Sequence, residues 1–206
     1  MPPMYGCPFR TCVTEENNKV MVYVIGLDHM GYLTPILPEQ LIKNITNYLS
    51  MYKSINDYVE IKSGRIINLS FEVDIFADKN YNHSDVVKSV INTIKDYMDI
   101  NKRQIGEDIF VGDIQKEISK IDGVLNLIDI RVYNEYGPSY SNVRSGQETV
   151  SLTSKYESEA VYISDDEAER SQIDLMASDY VLMTDSDSIF EIKYPNTDIR
   201  VRVKSR

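Results

Sequence analysis

The side chains best suited to chemistry are few and widely spaced in this chain of 206 residues. The strongest metal ligands by type are two cysteines and two histidines: Cys7, Cys12, His29 and His83. Zinc sites hold their ligands at short, regular spacings, which these positions do not match. Two free thiols and two surface imidazoles are therefore expected, and a local disulfide between Cys7 and Cys12 is the alternative that their spacing leaves open.

Two pairs of carboxylates are close enough in sequence to be considered for acid–base catalysis or calcium binding. Glu72 and Asp74 share one side of a predicted strand, where a general acid and a general base would be neighbours, although charges on the outer side of a sheet are usually solvated. Asp185 and Asp187 resemble the start of a calcium loop, but the required glycine and bidentate glutamate do not follow at the right spacing. The sequence also lacks a phosphate loop, a nucleophile elbow and a two-histidine helix motif. We therefore predict that the chain is not an enzyme and has no catalytic, cofactor-binding or metal site.

The strand that carries Glu72 and Asp74 has the clearest pattern in the chain. Within the predicted strand at 66–77, apolar residues occupy every second position from 67 to 75 and polar residues fill the gaps. This period of two predicts one buried face and one polar face, the latter either solvated or covered by a partner. A shorter strand at 58–62 precedes it across a turn at Ser63-Gly64.

Further helices and strands surround this strand and would position its side chains. Strands are predicted at 20–25 and 124–133, and helices at 39–52, from an N-cap at Ser84 to 98, and from Asp113 to 121. The order strand, helix, strand, strand, helix, short helix, strand predicts an α+β fold. The expected arrangement is ferredoxin-like (split βαβ), which is an antiparallel sheet with helices on one face.

The composition divides the chain into three parts. We predict an extended N-terminal segment at 1–19, the α+β domain at 20–133, and an acidic arm with a C-terminal interaction segment at 134–206. Within the last part, a capping pattern predicts a helix at 165–177. Two apolar runs, 180–183 and 189–194, predict a hairpin.

Composition and charge argue against two classes of partner. The net charge is −10, and nucleic-acid binding needs a basic face, so no nucleic-acid partner is expected. No apolar run approaches the length of a membrane span and the N-terminus does not read as a signal peptide, so no membrane association is expected.

The acidic arm is followed by a basic end. Residues 134–192 carry a net charge of −10, whereas residues 193–206 carry +4. These two stretches could pair with each other or with a neighbouring subunit, or remain solvated. From 199 to 204 the chain alternates apolar with basic residues, which is typical of an edge strand and would suit addition to another chain's sheet.

Several stretches of sequence carry a family resemblance. The segments that carry it are Asn-Lys-Val-Met-Val-Tyr-Val-Ile (18–25), Asn-Asp-Tyr-Val-Glu-Ile (56–61), Ile-Ile-Asn-Leu-Ser-Phe-Glu-Val-Asp-Ile (66–75), Ile-Gly-Glu-Asp-Ile (105–109), Asp-Gly-Val (122–124) and Ser-Ile-Phe-Glu-Ile-Lys-Tyr-Pro-Asn-Thr-Asp-Ile (188–199). They resemble the C-terminal region of baseplate J-like proteins, the baseplate wedge subunits of contractile-tailed bacteriophages. The block at 188–199 is the most specific of them.

The resemblance implies a structural role in a bacteriophage tail. Proteins of this family dimerise, bind other wedge subunits and form a ring around the tail tube, and they are not enzymes. The chain would then lie in the virion, in the tail baseplate, after assembly in the host cytoplasm, with no cofactor and no small-molecule substrate. Family members usually carry a long N-terminal portion that is not in this chain, which leaves open any ring contact that depends on it.

An apolar and aromatic cluster near the C-terminus supplies candidate contact residues. These are Phe190, Tyr194, Pro195, Asp198 and Ile199. They either contact neighbouring subunits or pack back onto their own domain. Two other functions fit the same sequence. The chain could be a ferredoxin-like regulatory or small-ligand-binding module, or a factor that assists tail assembly.

Overall fold

The structure is a computed structural model that describes residues 7–17, 19–53, 58–147, 169–176 and 179–204. The chain forms two compact units, each assembled from separate stretches of sequence. The first comprises Met1–Ile66, Gln104–Glu107 and Thr184–Ile189, and the second comprises Ile67–Arg103, Asp108–Met183 and Phe190–Arg206. The predicted boundaries after residues 19 and 133 stay predictions.

The first unit contains a four-stranded sheet and one helix. Its elements are β1 (Arg10–Glu16), β2 (Lys19–Leu27), β3 (Leu33–Thr34), α1 (Glu39–Ser50) and β4 (Val59–Ser63). β1 and β3 pair with β2 in antiparallel fashion, and β4 pairs with β2 in parallel. A parallel pair needs a crossover connection, and α1 lies in the connection between β2 and β4.

Alternation along β2 buries side chains on both faces of this sheet. Val22 and Val24 pack with Ile45 of α1. On the opposite face, the Tyr23 hydroxyl donates a hydrogen bond to Glu16 of β1 over 2.7 Å. This bond to a carboxylate, together with burial, raises the pKa of Tyr23 to about 12, because an ionised phenol there would face a negative charge.

The second unit is built on the long strand that the alternating pattern predicts. Its elements are β5 (Arg65–Ala77), α2 (His83–Tyr97), β6 (Ile109–Phe110), α3 (Val111–Ser119), β7 (Val124–Tyr136), β8 (Glu169–Gln172), β9 (Val181–Leu182), β10 (Ser188–Glu191), α4 (Pro195–Asp198) and β11 (Ile199–Lys204). The first two residues of β5 and of β10 belong to the first unit. The main sheet has the order β10-β5-β7-β8, and β11 also pairs with β5, in parallel. β7 is antiparallel to both β5 and β8, while β6 and β9 form a separate antiparallel pair.

The apolar row of β5 forms the centre of the core in this unit. Leu69, Phe71 and Val73 have no solvent-exposed surface. α2 and α3 bury apolar residues at helical spacing in the same cluster: Val86, Val90, Ile94, Val111, Ile114 and Ile118. The predicted helices and the predicted strand therefore meet through the faces that their periodicities mark as apolar.

The helix starts differ slightly from the predicted ones. The N-cap of α2 is Asn82, whose side-chain oxygen accepts a hydrogen bond from the Ser84 backbone N–H over 3.1 Å. Ser84 is thus inside the first turn rather than at the cap. α3 begins at Val111, two residues before the predicted cap at Asp113.

The structure confirms a mixed α+β fold with antiparallel sheets and few helices. It does not confirm the ferredoxin-like arrangement, because the strand predicted at 20–25 belongs to the sheet of the first unit. The strands predicted at 66–77 and 124–133 pair with each other in the second sheet. A period of two identifies a strand but does not specify its partner.

Two predictions for the C-terminal third are wrong. None of the described residues 169–176 is helical, and Glu169–Gln172 is a strand, whereas the rest of the helix expected at 165–177 lies outside the described residues. The expected hairpin does not form, because β9 pairs with β6 and β10 pairs with β5. The described parts of the predicted arm therefore supply strands to the second unit. Within the described residues, no helix is both long and apolar enough to span a membrane.

Gly123, between α3 and β7, allows a direct test of backbone geometry. Its φ is +90°, and a Cβ atom there would lie 2.8 Å from Cγ of Tyr81 and from Cγ2 of Val86. We expect Gly123→Ala to lower the free energy of unfolding in urea by about 2 kcal/mol, because backbone strain and steric overlap add.

Gly112→Ala is the matched control for this substitution. Gly112 lies in α3, where no described neighbouring atom would come within 4 Å of an added Cβ. Alanine there should be neutral or stabilise by up to about 1 kcal/mol, because it is the better helix former. Equal losses at both glycines would contradict the role assigned to Gly123.

Candidate interaction surface

The polar row of β5 is buried by other parts of the same chain. Asn68, Ser70, Glu72 and Asp74 are each no more than 6% exposed. In the sheet, β7 lies on one side of this strand, and β10 and β11 pair with it as well. The prediction of an open face, solvated or covered by a partner, is wrong because side chains that are distant in sequence cover it.

Glu72 is the centre of a network of ion pairs. Its carboxylate lies 3.0 Å from Arg170 of β8 and 3.7 Å from Arg131 of β7. Arg200 and Arg202 of β11 approach it to 3.6 Å and 3.5 Å. Four guanidinium groups from three strands thus converge on one carboxylate that is almost fully removed from water, where such pairs are screened little.

Asp74 forms the second centre of the same network. It lies 3.3 Å from both Arg131 and Lys204. Its Oδ1 atom is buried without a hydrogen-bond partner among the described residues. Arg131 also lies 3.3 Å from Asp129, which pairs with Asp74 across the strands. The network therefore links β5 to β7 and β11 through charge as well as through backbone hydrogen bonds.

At its N-terminal end, the polar row is covered by amide and hydroxyl groups. The Asn68 side chain donates to Glu191 over 3.0 Å and accepts from the Ser141 backbone N–H over 2.7 Å. Ser70 donates its hydroxyl hydrogen to Glu135. Buried polar groups are tolerated when they are paired in this way, and the bond from Ser141 holds the backbone just after β7 onto the sheet.

Glu135 and Asp198 are both buried carboxyl groups. Burial raises the pKa of Glu135 above its ordinary value, although the hydrogen bond from Ser70 opposes the shift. Burial likewise raises the pKa of Asp198. In the folded state these groups keep their protons to a higher pH than in the unfolded chain, so protonation favours folding.

A pH dependence follows for Glu135. As the pH falls from 7 through the raised pKa towards the ordinary carboxyl value near 4, the destabilising charge of Glu135 is removed. Glu135→Gln has no charge to bury, so at pH 7 its free energy of unfolding should be higher than that of the wild type. This difference should shrink at lower pH. Urea titrations at several pH values measure this difference.

A second variant checks the cause of this pH dependence. Ser70→Ala removes the hydrogen bond that opposes the shift, so the stabilisation on acidification should begin at a higher pH. If the difference between wild type and Glu135→Gln did not change with pH, burial of a charged Glu135 would be refuted.

Asp198 closes the turn between β10 and β11. It accepts hydrogen bonds from the Tyr194 backbone N–H and from the Tyr140 hydroxyl, each over 2.8 Å. The rings of Tyr140 and Tyr194 meet edge to face with centroids 5.5 Å apart. Burial and the nearby Asp198 carboxylate raise the pKa of Tyr140. The turn is therefore fixed by bonds within the unit.

The structure brings the five predicted contact residues into one segment but buries three of them. Phe190 and Ile199 belong to the core cluster, and Asp198 is 4% exposed. Tyr194 and Pro195 are half-buried. Contact with neighbouring subunits stays a prediction for all five, and in this structure only Tyr194 and Pro195 offer substantial accessible surface.

The other residues considered for chemistry have simpler roles. Cys7 and Cys12 are free thiols. Asp185 and Asp187 both form ion pairs with Arg65 in the first unit, and the pair with Asp187 spans 2.8 Å. Those two bonds raise the pKa of Arg65 against the opposing effect of burial. No group of three or more metal-ligating side chains is suitably placed in the part of the chain that the structure describes.

The sequence pattern did not identify the partners of Glu72. Arg131 and Arg170 lie 59 and 98 residues away along the chain, and neither belongs to a recognisable motif. The alternation of Arg200, Arg202 and Lys204 was a usable signal, since it places three cations on one side of a strand. That strand pairs with β5 of its own chain, rather than being left for another chain's sheet.

The chain has a weak likeness to a solved structure. No family model and no curated protein matches the chain. The chain is similar to a chain in the six-fold symmetrised cryo-EM structure of the anti-feeding prophage (AFP) baseplate, with a TM-score of 0.43 and 12% sequence identity. The match covers 61% of this chain and 29% of the other, so this chain spans less than a third of that protein's length. A likeness of this strength carries no argument about function.

Proposed function

We propose that this protein is a structural subunit of a bacteriophage tail baseplate, of the wedge type. It would assemble with itself and with other baseplate proteins in a ring around the tail tube. The support is the sequence resemblance to baseplate J-like proteins, of which the block at 188–199 is the most specific part. The proposal includes the absence of enzymatic activity, cofactor and small-molecule substrate.

The observation that carries the proposal is the position of this block in the fold. Residues 188–199 form β10, α4 and the start of β11, and both strands pair with β5. The block therefore completes the main sheet of the second unit instead of forming a loose tail. A resemblance located in a structural element of this kind favours a shared architecture over a chance match of a few side chains.

The charge network suits a subunit that must keep its shape in an assembly. Glu72 and Asp74 bind cations from β7, β8 and β11, so the strands are held together by ion pairs between elements that are distant in sequence. Exposed apolar side chains of the first unit could supply contacts with neighbours: Met30, Ile36, Met51, Tyr52 and Tyr58.

Location in the virion tail, after assembly in the host cytoplasm, is part of the proposal. Quantitative mass spectrometry of purified particles from the phage that encodes the chain tests it. A constant number of copies per particle, in a multiple of six, is the expected result. Absence from finished particles would refute the proposal, and presence only in assembly intermediates would indicate an assembly factor instead.

A further inference from the structure

β1 lies at one end of the sheet in the first unit. β1 pairs with β2 over all seven residues from Arg10 to Glu16. Among the described residues no strand pairs with its other side, since β1 is the end of the sheet order. Proline and charged side chains commonly protect such edges; Arg10–Glu16 contains no proline, and its charged residues are one arginine and two glutamates. An edge of this kind presents backbone N–H and C=O groups to a further strand.

The sequence of β1 is complementary to itself in one antiparallel register. If two copies meet with Val13 opposite Val13, Arg10 of each copy lies opposite Glu16 of the other. Thr11 then lies opposite Glu15, and Cys12 lies opposite Thr14. Every charged residue of the strand faces either an opposite charge or a neutral polar side chain, which is the favourable arrangement for cross-strand pairs.

The exposure of side chains on β1 fits this register. Val13 is 63% exposed although it is apolar and lies opposite the buried Val22 of β2. Pairing about Val13 would bring the two valines together on the two-fold axis and remove apolar surface from water. Two four-stranded sheets would become one sheet of eight strands, with no change in the fold of either copy.

The edge of β11 provides a contrast. β11 pairs with β5, and no second described strand pairs with it. An antiparallel pair of two copies centred on Arg202 would place Arg202 opposite Arg202 and Arg200 opposite Lys204, which are repulsive pairs of like charge. Charge therefore favours self-association through β1 and opposes it through β11.

We propose that the β1 edge is the two-fold interface between two copies of this chain. This inference deepens the proposed function and rests on it, because it names the surface through which two subunits of the ring would meet. Isologous contact through one self-complementary patch is the commonest basis of homodimers.

Cysteine cross-linking in solution tests the register. In a Cys7→Ser/Cys12→Ser background, Val13→Cys places two thiols directly opposite each other, within the Cα separation that a disulfide needs. Thr11→Cys is the control on the same face, since two copies of residue 11 would be about 14 Å apart at ~3.4 Å per residue. We expect Val13→Cys to form at least about tenfold more disulfide-linked dimer than Thr11→Cys under mild oxidation.

A mixture of variants makes the test specific to this register. Thr11→Cys and Glu15→Cys proteins should each remain mostly unlinked alone, and should link to each other when they are mixed. Both positions are exposed, so neither substitution should disturb folding. Equal linking at positions 11 and 13, or no linking in the mixture, would overturn the proposed register.

Charge reversal supplies an independent readout by sedimentation equilibrium. Arg10→Glu puts a glutamate opposite Glu16 twice in each dimer and should raise the dimer Kd roughly tenfold. Adding Glu16→Arg should restore the affinity, which a merely structural role for either residue would not do. Glu16→Arg alone is not informative, because Glu16 also accepts the hydrogen bond of Tyr23.

The outcomes separate this proposal from the proposed function. A protein that is monomeric at about 100 µM, far above the Kd of a stable dimer, or a dimer unaffected by Arg10→Glu, would overturn the β1 interface. Particle composition is measured separately and does not depend on the result. A chain found in particles without cross-linking at position 13 would refute the β1 interface alone, whereas cross-linking by a chain absent from particles would refute the tail role alone.

Discussion

Phe190→Ala is expected to lower the free energy of unfolding of the isolated chain by about 3–5 kcal/mol, the usual cost of truncating a buried aromatic side chain. Phe190 is 2% exposed and belongs to the same core cluster as Phe71. The truncation leaves a cavity as well as removing apolar contacts, and urea denaturation followed by circular dichroism measures the loss.

This experiment also distinguishes two roles for the C-terminal block. If Phe190 acted only as a contact residue for neighbouring subunits, its removal would leave the isolated chain as stable as before and weaken assembly alone. Phe110→Ala is the matched control, because Phe110 is 53% exposed in the same unit. We expect this control to change stability by no more than about 1 kcal/mol. Similar losses for both phenylalanines would refute the core role of Phe190.

Glu72→Gln is expected to destabilise the chain by about 3 kcal/mol. Removal of one partner from a buried ion pair leaves the other charge uncompensated, which costs about 3–5 kcal/mol. Here the guanidinium groups of Arg200 and Arg202 still reach water, since their side chains are 36% and 61% exposed. The lower end of the range is therefore expected, and urea denaturation at neutral pH measures it.

An exposed glutamate serves as the control for Glu72. Glu60 of β4 lies 3.8 Å from Lys19 and 3.9 Å from Lys62, and its side chain is 48% exposed. Glu60→Gln should cost no more than about 0.5 kcal/mol, because exposed ion pairs are weak. An equally small effect at Glu72 would show that the buried network contributes nothing to stability.

Much of the local structure could be predicted from the sequence. The period of two along 66–77 identified β5 and assigned its apolar side correctly, and the helical stripes located α1, α2 and α3. These signals are local, because the residues that form one face of an element lie within a few positions of one another. β1 was not predicted as a strand, since five of the seven residues in Arg10–Glu16 are polar or charged and its outer side carries no apolar row.

The prediction failed where the answer depended on contacts between distant residues. The strand at 20–25 looked equally able to pair with β5, yet it pairs with β1, β3 and β4. The candidate contact residue Phe190 showed the same ambiguity, because an apolar side chain in sequence can fill a core or a subunit interface. The partner of an apolar surface is selected by shape and register, which no local pattern contains.

Local sequence patterns were enough to identify an α+β chain with one long strand that has an apolar and a polar row, and with an acidic net charge. Burial of the polar row of this strand became evident only from the folded chain. Glu72 can be removed from water because Arg131, Arg170 and the cations of β11 converge on it from remote parts of the chain. A carboxylate in solvent and a carboxylate in a buried ion-pair network have the same sequence signature, and they differ only in which charges the fold brings within a few ångströms.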